Sequence, residues 1–260
     1  MKLSLMAAVC AGALVLGSAP ALSAAQQQTV TVFAAASLHN AFTELGKEFE
    51  AAHPGVSVRF NFDGSQILET QIANGAPADV FASADQRSMA KAVDAGLVGT
   101  PVDFTSNTLA VVAQFDVNVR SLRDLTRDGL KLAICAEQVP CGRYTRIALQ
   151  KMSADRAYWP KYGDQVMRNV ATQEQNVESV VQKVVLGEAD AGFVYATDAA
   201  QGSAHLLSIP VPDEDQEIAT YPIATVKASA SKDLAQSFID YVLSAKGQSV
   251  LQSFGFHGHA

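Results

Sequence analysis

Two hydrophobic rhythms alternate along this chain. Val30-Thr31-Val32-Phe33 is a β-rich run, and Leu38, Phe42, Leu45 and Phe49 follow at spacings of four, three and four. That spacing is one stripe of an α-helix over about 38–52. His53-Pro54-Gly55 breaks it, and 56–62 alternates as a strand. Asp63-Gly64-Ser65 opens a helix carrying Ile67, Leu68 and Ile72, Gly75-Ala76-Pro77 ends it, 79–82 is a short buried strand, and Asp85 opens a helix through Val93. Strand and helix in strict alternation predict a parallel sheet covered on both faces.

The alternation restarts at Thr108. Strands are expected over 109–113 and 131–135, a helix over about 143–152, and a strand over 166–170. Asn176 caps a helix with Val177, Val180, Val181, Val184 and Val185 on one face, and 191–195 is a strand. Residues 209–212 read as a stiff extended connection, 221–226 as a strand returning to the first unit, and 231–244 and 246–253 as closing helices. No long linker separates the units. The expected architecture is therefore α/β with two lobes, 26–107 plus 221–260 and 108–220. Each is a mostly parallel sheet flanked by helices, joined by hinge strands near 105–109 and 218–222. Ligands in such folds lie at the carboxyl ends of the strands.

Residues 1–25 stand apart. Lys2 is their single charge, an apolar run spans Leu3 to Leu16, and Ala-Leu-Ser-Ala-Ala closes the segment. This reads as a secretory signal peptide cleaved after Ala24 or Ala25. Cys10 lies inside the apolar run, so it is no lipid-attachment site. Removing the segment changes the formal charge from −7 to −8. An acidic chain without a basic block is a poor partner for nucleic acid or anionic lipid. Any anion must be held by local donors.

Cys135 and Cys141 remain, an even count in an oxidising compartment, so a disulfide is expected, with free thiols as the alternative. No His or further Cys lies near them to suggest a metal. The chain lacks Gly-x-Ser-x-Gly, His-Glu-x-x-His, a P-loop and Gly-x-Gly-x-x-Gly. His39 sits two residues past Ser37, the wrong spacing for a nucleophile and its base. Asp79 and Asp85 are read as caps and strand-end acceptors. His257 and His259 are read as solvated.

The candidate chemistry sits where strands turn into helices. Ser37 and Ser65 are two such corners, and Gly64 lets backbone approach a ligand. Pro140-Cys141-Gly142 and Asn176-Val177 are two more, and Tyr195 ends a strand. Each corner combines unpaired N–H groups with the positive end of a helix dipole, a ready anion site.

The segments 32–38 (Val-Phe-Ala-Ala-Ala-Ser-Leu), 63–65 (Asp-Gly-Ser), 75–85 (Gly-Ala-Pro-Ala-Asp-Val-Phe-Ala-Ser-Ala-Asp), 139–142 (Val-Pro-Cys-Gly) and 194–198 (Val-Tyr-Ala-Thr-Asp) carry a resemblance. In order, over nearly all of the chain past residue 25, the sequence resembles the periplasmic molybdate-binding proteins of ABC-type importers. The resemblance implies a two-lobed binding protein that closes on molybdate or tungstate and delivers it to a membrane permease. It implies no catalysis and no cofactor, and the chain is expected to be monomeric. By the same resemblance the ligand donors are Ser37, Ser65, the N–H groups of Cys141 and Val177, and Tyr195. Gln66 stands where the family often has a small or hydroxyl residue, and Cys141 where it usually has alanine. Asp63 is expected to turn away from the anion. The alternatives are a receptor for another ligand such as sulfate or ferric iron, and a secreted thiol or serine enzyme. Tyr195 has no adjacent tyrosine to support iron, and no base is matched to Ser37 or the cysteines.

Overall fold

The computed structural model describes residues 28–202 and 206–258; the expected signal peptide lies outside them. The chain runs β1 (Gln28–Ala35), a 3-10 turn (Ala36–Leu38), α1 (His39–Ala52), β2 (Val56–Asp63), α2 (Ser65–Ala73), β3 (Val80–Ala82), α3 (Gln86–Asp94) and β4 (Val102–Asn107). A second unit follows: β5 (Leu109–Gln114), β6 (Leu132–Cys135), α4 (Pro140–Ala154), α5 (Tyr162–Arg168), β7 (Val170–Glu174), α6 (Val177–Val185), β8 (Ala191–Tyr195), α7 (Ala196–Gln201) and β9 (Leu206–Pro210). Then β10 (Ala219–Thr225), α8 (Lys232–Leu243) and α9 (Ala245–Ser253) complete the first.

Two five-stranded sheets result, ordered β2-β1-β3-β10-β4 and β7-β6-β8-β5-β9. The expected parallel pairings form one half of each sheet, β1 with β2 and β3, and β6 with β7 and β8. Antiparallel pairings complete the other half: β10 with β3 and β4, and β5 with β8 and β9. Both sheets are thus mixed.

β1 lies between β2 and β3 in its sheet, and its last four residues, Val32, Phe33, Ala34 and Ala35, are all buried. A strand covered on both faces needs such a continuous apolar run. On one face α1 lays down Phe42, Leu45 and Phe49, all fully buried. The Phe42 ring meets Phe104 and Phe238 at centroid separations of 5.7 and 6.1 Å. On the other face Phe33 and Phe81 pack with Leu68, Ile72 and Met89.

The expected strand over 166–170 is instead the end of α5, with β7 beginning at Val170. Tyr162 and Val166, four apart, are fully buried on one helix face. The connection expected at 209–212 begins as β9, which pairs along β5.

The sheets are joined at two places. Thr108 alone separates β4 from β5, and the second crossing leads from Pro210 to Ala219. Buried Gln216 ties them together. Its amide oxygen accepts from Leu109 N–H at 2.8 Å, and its amide nitrogen donates to the Leu109 carbonyl at 2.8 Å and the Val211 carbonyl at 3.0 Å.

Candidate functional site

The carboxyl ends of the parallel strands of both sheets converge on one hollow. Its lining includes Ser37, Asp63, Ser65 and Ala84 from the first lobe, and Cys141, Asn176, Val177 and Tyr195 from the second. All five residues expected to bind the ligand are brought together here. The hollow is small, about 10 Å³ measured for the centre of a water-sized sphere. That is room for one compact group.

Each lobe-1 hydroxyl has its oxygen engaged by a neighbour. Ser37 is not a helix N-cap but the middle of the 3-10 turn before α1. Its Oγ lies 2.9 Å from the Tyr221 hydroxyl. Asn107 also bonds Tyr221, and burial holds that phenol protonated far above the ordinary range. Either hydroxyl can donate in this pair; when Tyr221 donates, the Ser37 proton is free for an acceptor in the hollow. Ser65, the first residue of α2, accepts from Ala84 N–H at 2.9 Å, so its proton is free as well.

The lobe-2 donors are built differently. Cys141 is the second residue of α4, after Pro140 at the first position. Val177 opens α6, where Asn176 Oδ1 caps Ser179 N–H at 2.9 Å. A helix leaves its first N–H groups without internal acceptors, and these two lie at the hollow. Tyr195 is 1% exposed and its hydroxyl meets no protein acceptor. Burial, then the nearby Tyr221, raise its pKa well above the ordinary tyrosine value, so it is a neutral donor at any physiological pH.

Asp63 borders the hollow, with Oδ1 turned onto Gly64 N–H at 2.8 Å and the Asn176 amide at 3.0 Å. Asp85 caps α3 through Ser88 N–H at 3.0 Å and pairs with Arg143 of the other lobe. Asp79 accepts from Thr31 N–H at 2.7 Å and the Ser229 hydroxyl. Both carboxylates therefore serve as caps and strand-end acceptors.

The expected Cys135–Cys141 disulfide is not formed; both are free, buried thiols. Cys141 Sγ is directed at the Phe193 carbonyl, 3.5 Å away on β8. Burial, then the hydrogen bond with the Cys141 thiol, push the Cys135 pKa up, which disfavours its thiolate. Among the described residues, no three His, Cys, Asp or Glu side chains group to hold a metal ion. Nor is any described helix long and apolar enough to cross a membrane.

Sequence reasoning missed the supports: Tyr221 and Asn107 behind Ser37, Ala84 N–H behind Ser65, and the Arg143–Asp85 pair across the lobes. These partners are far apart in the chain, and no local periodicity marks them. Tyr221-Pro222 in a returning strand was the one available signal.

Residues 30–257 match the model of the bacterial extracellular solute-binding protein family. The chain belongs to that family. It is 39% identical over 242 residues to the molybdate-binding protein ModA of Mycobacterium tuberculosis (strain H37Rv), covering 92% of this chain and 88% of that protein. The periplasmic molybdate-binding protein of Azotobacter vinelandii superposes with a TM-score of 0.77 at 21% identity, covering 89% of this chain and all of that one. The sulfate-binding protein SubI of M. tuberculosis superposes equally well, with a TM-score of 0.78 at 19% identity over 89% and 87% of the chains. At those identities the likeness speaks for the two-lobed fold alone.

Proposed function

We propose that this solute-binding protein captures molybdate, and tungstate as a close mimic, between its lobes and delivers it to the permease of an ABC importer. It works in the periplasm as a monomer, after removal of residues 1–25, and catalyses no reaction. The moving units are 26–107 with 221–260, and 108–220. The ligand donors are Ser37, Ser65, Cys141 N–H, Val177 N–H and Tyr195.

The observation that carries this reading is the Tyr195 hydroxyl, buried without a protein acceptor at a hollow ringed by other donors. A buried unsatisfied O–H costs about 1–3 kcal/mol. An anion with acceptors on every side relieves it. Molybdate carries no proton at neutral pH, so a ring of donors suits it. Each charge-assisted bond contributes roughly 1.5–3 kcal/mol, and several offset the burial of two charges. Neutral dipoles can therefore do this without a lysine or arginine. Phosphate retains a proton near pH 7, and that proton finds no acceptor in such a ring. Sulfate is unprotonated too, so it is separated by size. The 39% identity to a molybdate-binding relative favours the larger ion.

Titration calorimetry with molybdate, tungstate, sulfate and phosphate tests this. Tight binding of the first two, weaker binding of sulfate and none of phosphate are expected. Phosphate binding as tight as molybdate refutes the donor-only ring.

A further inference from the structure

Gly64 stands at the corner between β2 and α2, one residue before Ser65. Its backbone is ordinary, φ −60° and ψ 137°, a conformation any L-residue adopts. Glycine is therefore not required here by the local fold. Space is what it supplies. A Cβ on Gly64 would sit inside 3.0 Å of the Gln175 carbonyl oxygen, closer than real Cβ atoms come. Gln175 belongs to the other lobe, in the turn between β7 and α6. The other atoms in reach are the side-chain amide of Gln66, at 2.6 and 2.7 Å, the far end of a flexible chain.

The same two corners are stitched together on either side of that contact. Gln66 Nε2 donates to the Gln175 carbonyl at 2.8 Å, and Asn176 Nδ2 donates to Asp63 Oδ1 at 3.0 Å. So 63–66 of one lobe meets 175–176 of the other, with the backbone of Gly64 against a backbone carbonyl. Each corner also carries a ligand donor, Ser65 on one and Val177 N–H on the other.

We propose that Gly64 is a positioning residue for lobe closure. Its missing side chain lets the Ser65 and Val177 corners seat against each other, and Gln66 and Asp63 fasten them once seated. The inference rests on the molybdate reading above only for its ligand. It goes beyond that reading in separating closure from folding: a side chain at position 64 spares each lobe and obstructs only their meeting.

The test is Gly64→Ala in the full chain beside the wild type, with molybdate and tungstate as probes. Calorimetry reads affinity, small-angle scattering reads closure, and thermal melting reads the fold. Without ligand, Gly64→Ala is expected to melt within about 2 °C of the wild type, because alanine accepts this backbone. Its molybdate affinity is expected to fall at least about 100-fold, because lobe-2 donors no longer reach an ion held by lobe 1. Scattering should show the wild type contracting on adding molybdate and the variant not.

The double variant Gly64→Ala/Gln66→Ala removes the amide that a new methyl would also crowd. If it stays as impaired as Gly64→Ala while Gln66→Ala alone binds clearly more tightly than either, the Gln175 carbonyl is the obstacle, as inferred. If it regains wild-type affinity, the crowding was within lobe 1 and the inference is overturned. A Gly64→Ala protein that binds and contracts like the wild type overturns it also. A wild type that binds neither anion removes the ligand reading, whereas a wild type that binds but does not contract leaves that reading and sinks this one.

Discussion

The two walls of the hollow hold out the same kind of donor by different means. Lobe 1 offers side-chain hydroxyls, Ser37 and Ser65, each with its oxygen engaged by a neighbour in its own lobe. Lobe 2 offers backbone N–H groups of Cys141 and Val177, set by the starts of α4 and α6, and one phenol with no protein acceptor. A hydroxyl rotates, so it must be oriented by a partner to aim its proton. A helix-start N–H is oriented by the backbone itself. Lobe 1 should therefore be intolerant of side-chain changes where lobe 2 is tolerant, Tyr195 apart.

The largest effect is expected at Ser65→Ala. It deletes a donor and strands the Ala84 N–H that Ser65 accepts from. Molybdate affinity should fall by about 100-fold or more, and the ligand-free protein should melt about 2–4 °C lower. Calorimetry and melting check both; an unchanged melting temperature breaks the claim that the Ser65 oxygen is structurally engaged.

Tyr195→Phe should divide the two readouts. Affinity drops about 10–100-fold, yet the ligand-free protein melts about 2–4 °C higher, since an unpaired buried hydroxyl is gone. A fall in both would mean that this phenol has a partner in the free protein.

A smaller effect is expected from pH. Asp198, at the start of α7 behind Tyr195, accepts from Tyr195 N–H at 3.2 Å, and burial raises its pKa to about 7. The unfolded chain ionises it near the ordinary value of 3.8. A group raised on folding favours the folded state when protonated, so its contribution is present below about pH 4 and lost as pH climbs through about 7. Melting temperature should decline over that window, and Asp198→Asn should flatten the decline. An equally steep decline in the variant refutes the assignment.

The smallest effect is Cys141→Ala. The proposed donor is the N–H, and the thiol is directed at the Phe193 carbonyl, so affinity should stay within about threefold. A larger loss in calorimetry would give the thiol a role the comparison denies it.

Much of this was legible in the chain. The stripe Leu38, Phe42, Leu45, Phe49 became a fully buried face, because a helix of that period has one way to cover an apolar sheet. The corners at Ser65, Cys141 and Val177 were legible because strand and helix signals abut there. What escaped was either brief or long-range. Tyr162 and Val166 give a single helical spacing in a seven-residue helix, too short a period to read from the chain alone. The antiparallel strand β9 has little alternation of its own and is a strand because β5 pairs with it. Cysteine count suggested a bridge, but the packing of Cys141 against Phe193 sets the thiol's direction.

The joint between the sheets has a mechanical meaning. With a single residue in one connection, and with Gln216 lacing that connection to the other, the halves have almost no freedom to slide. What is left is a swing about the laced segment. A pivot so constrained would return each proposed donor to the same seat on each closure, and a ring of weak, uncharged contacts would then act with the fidelity of a rigid mould.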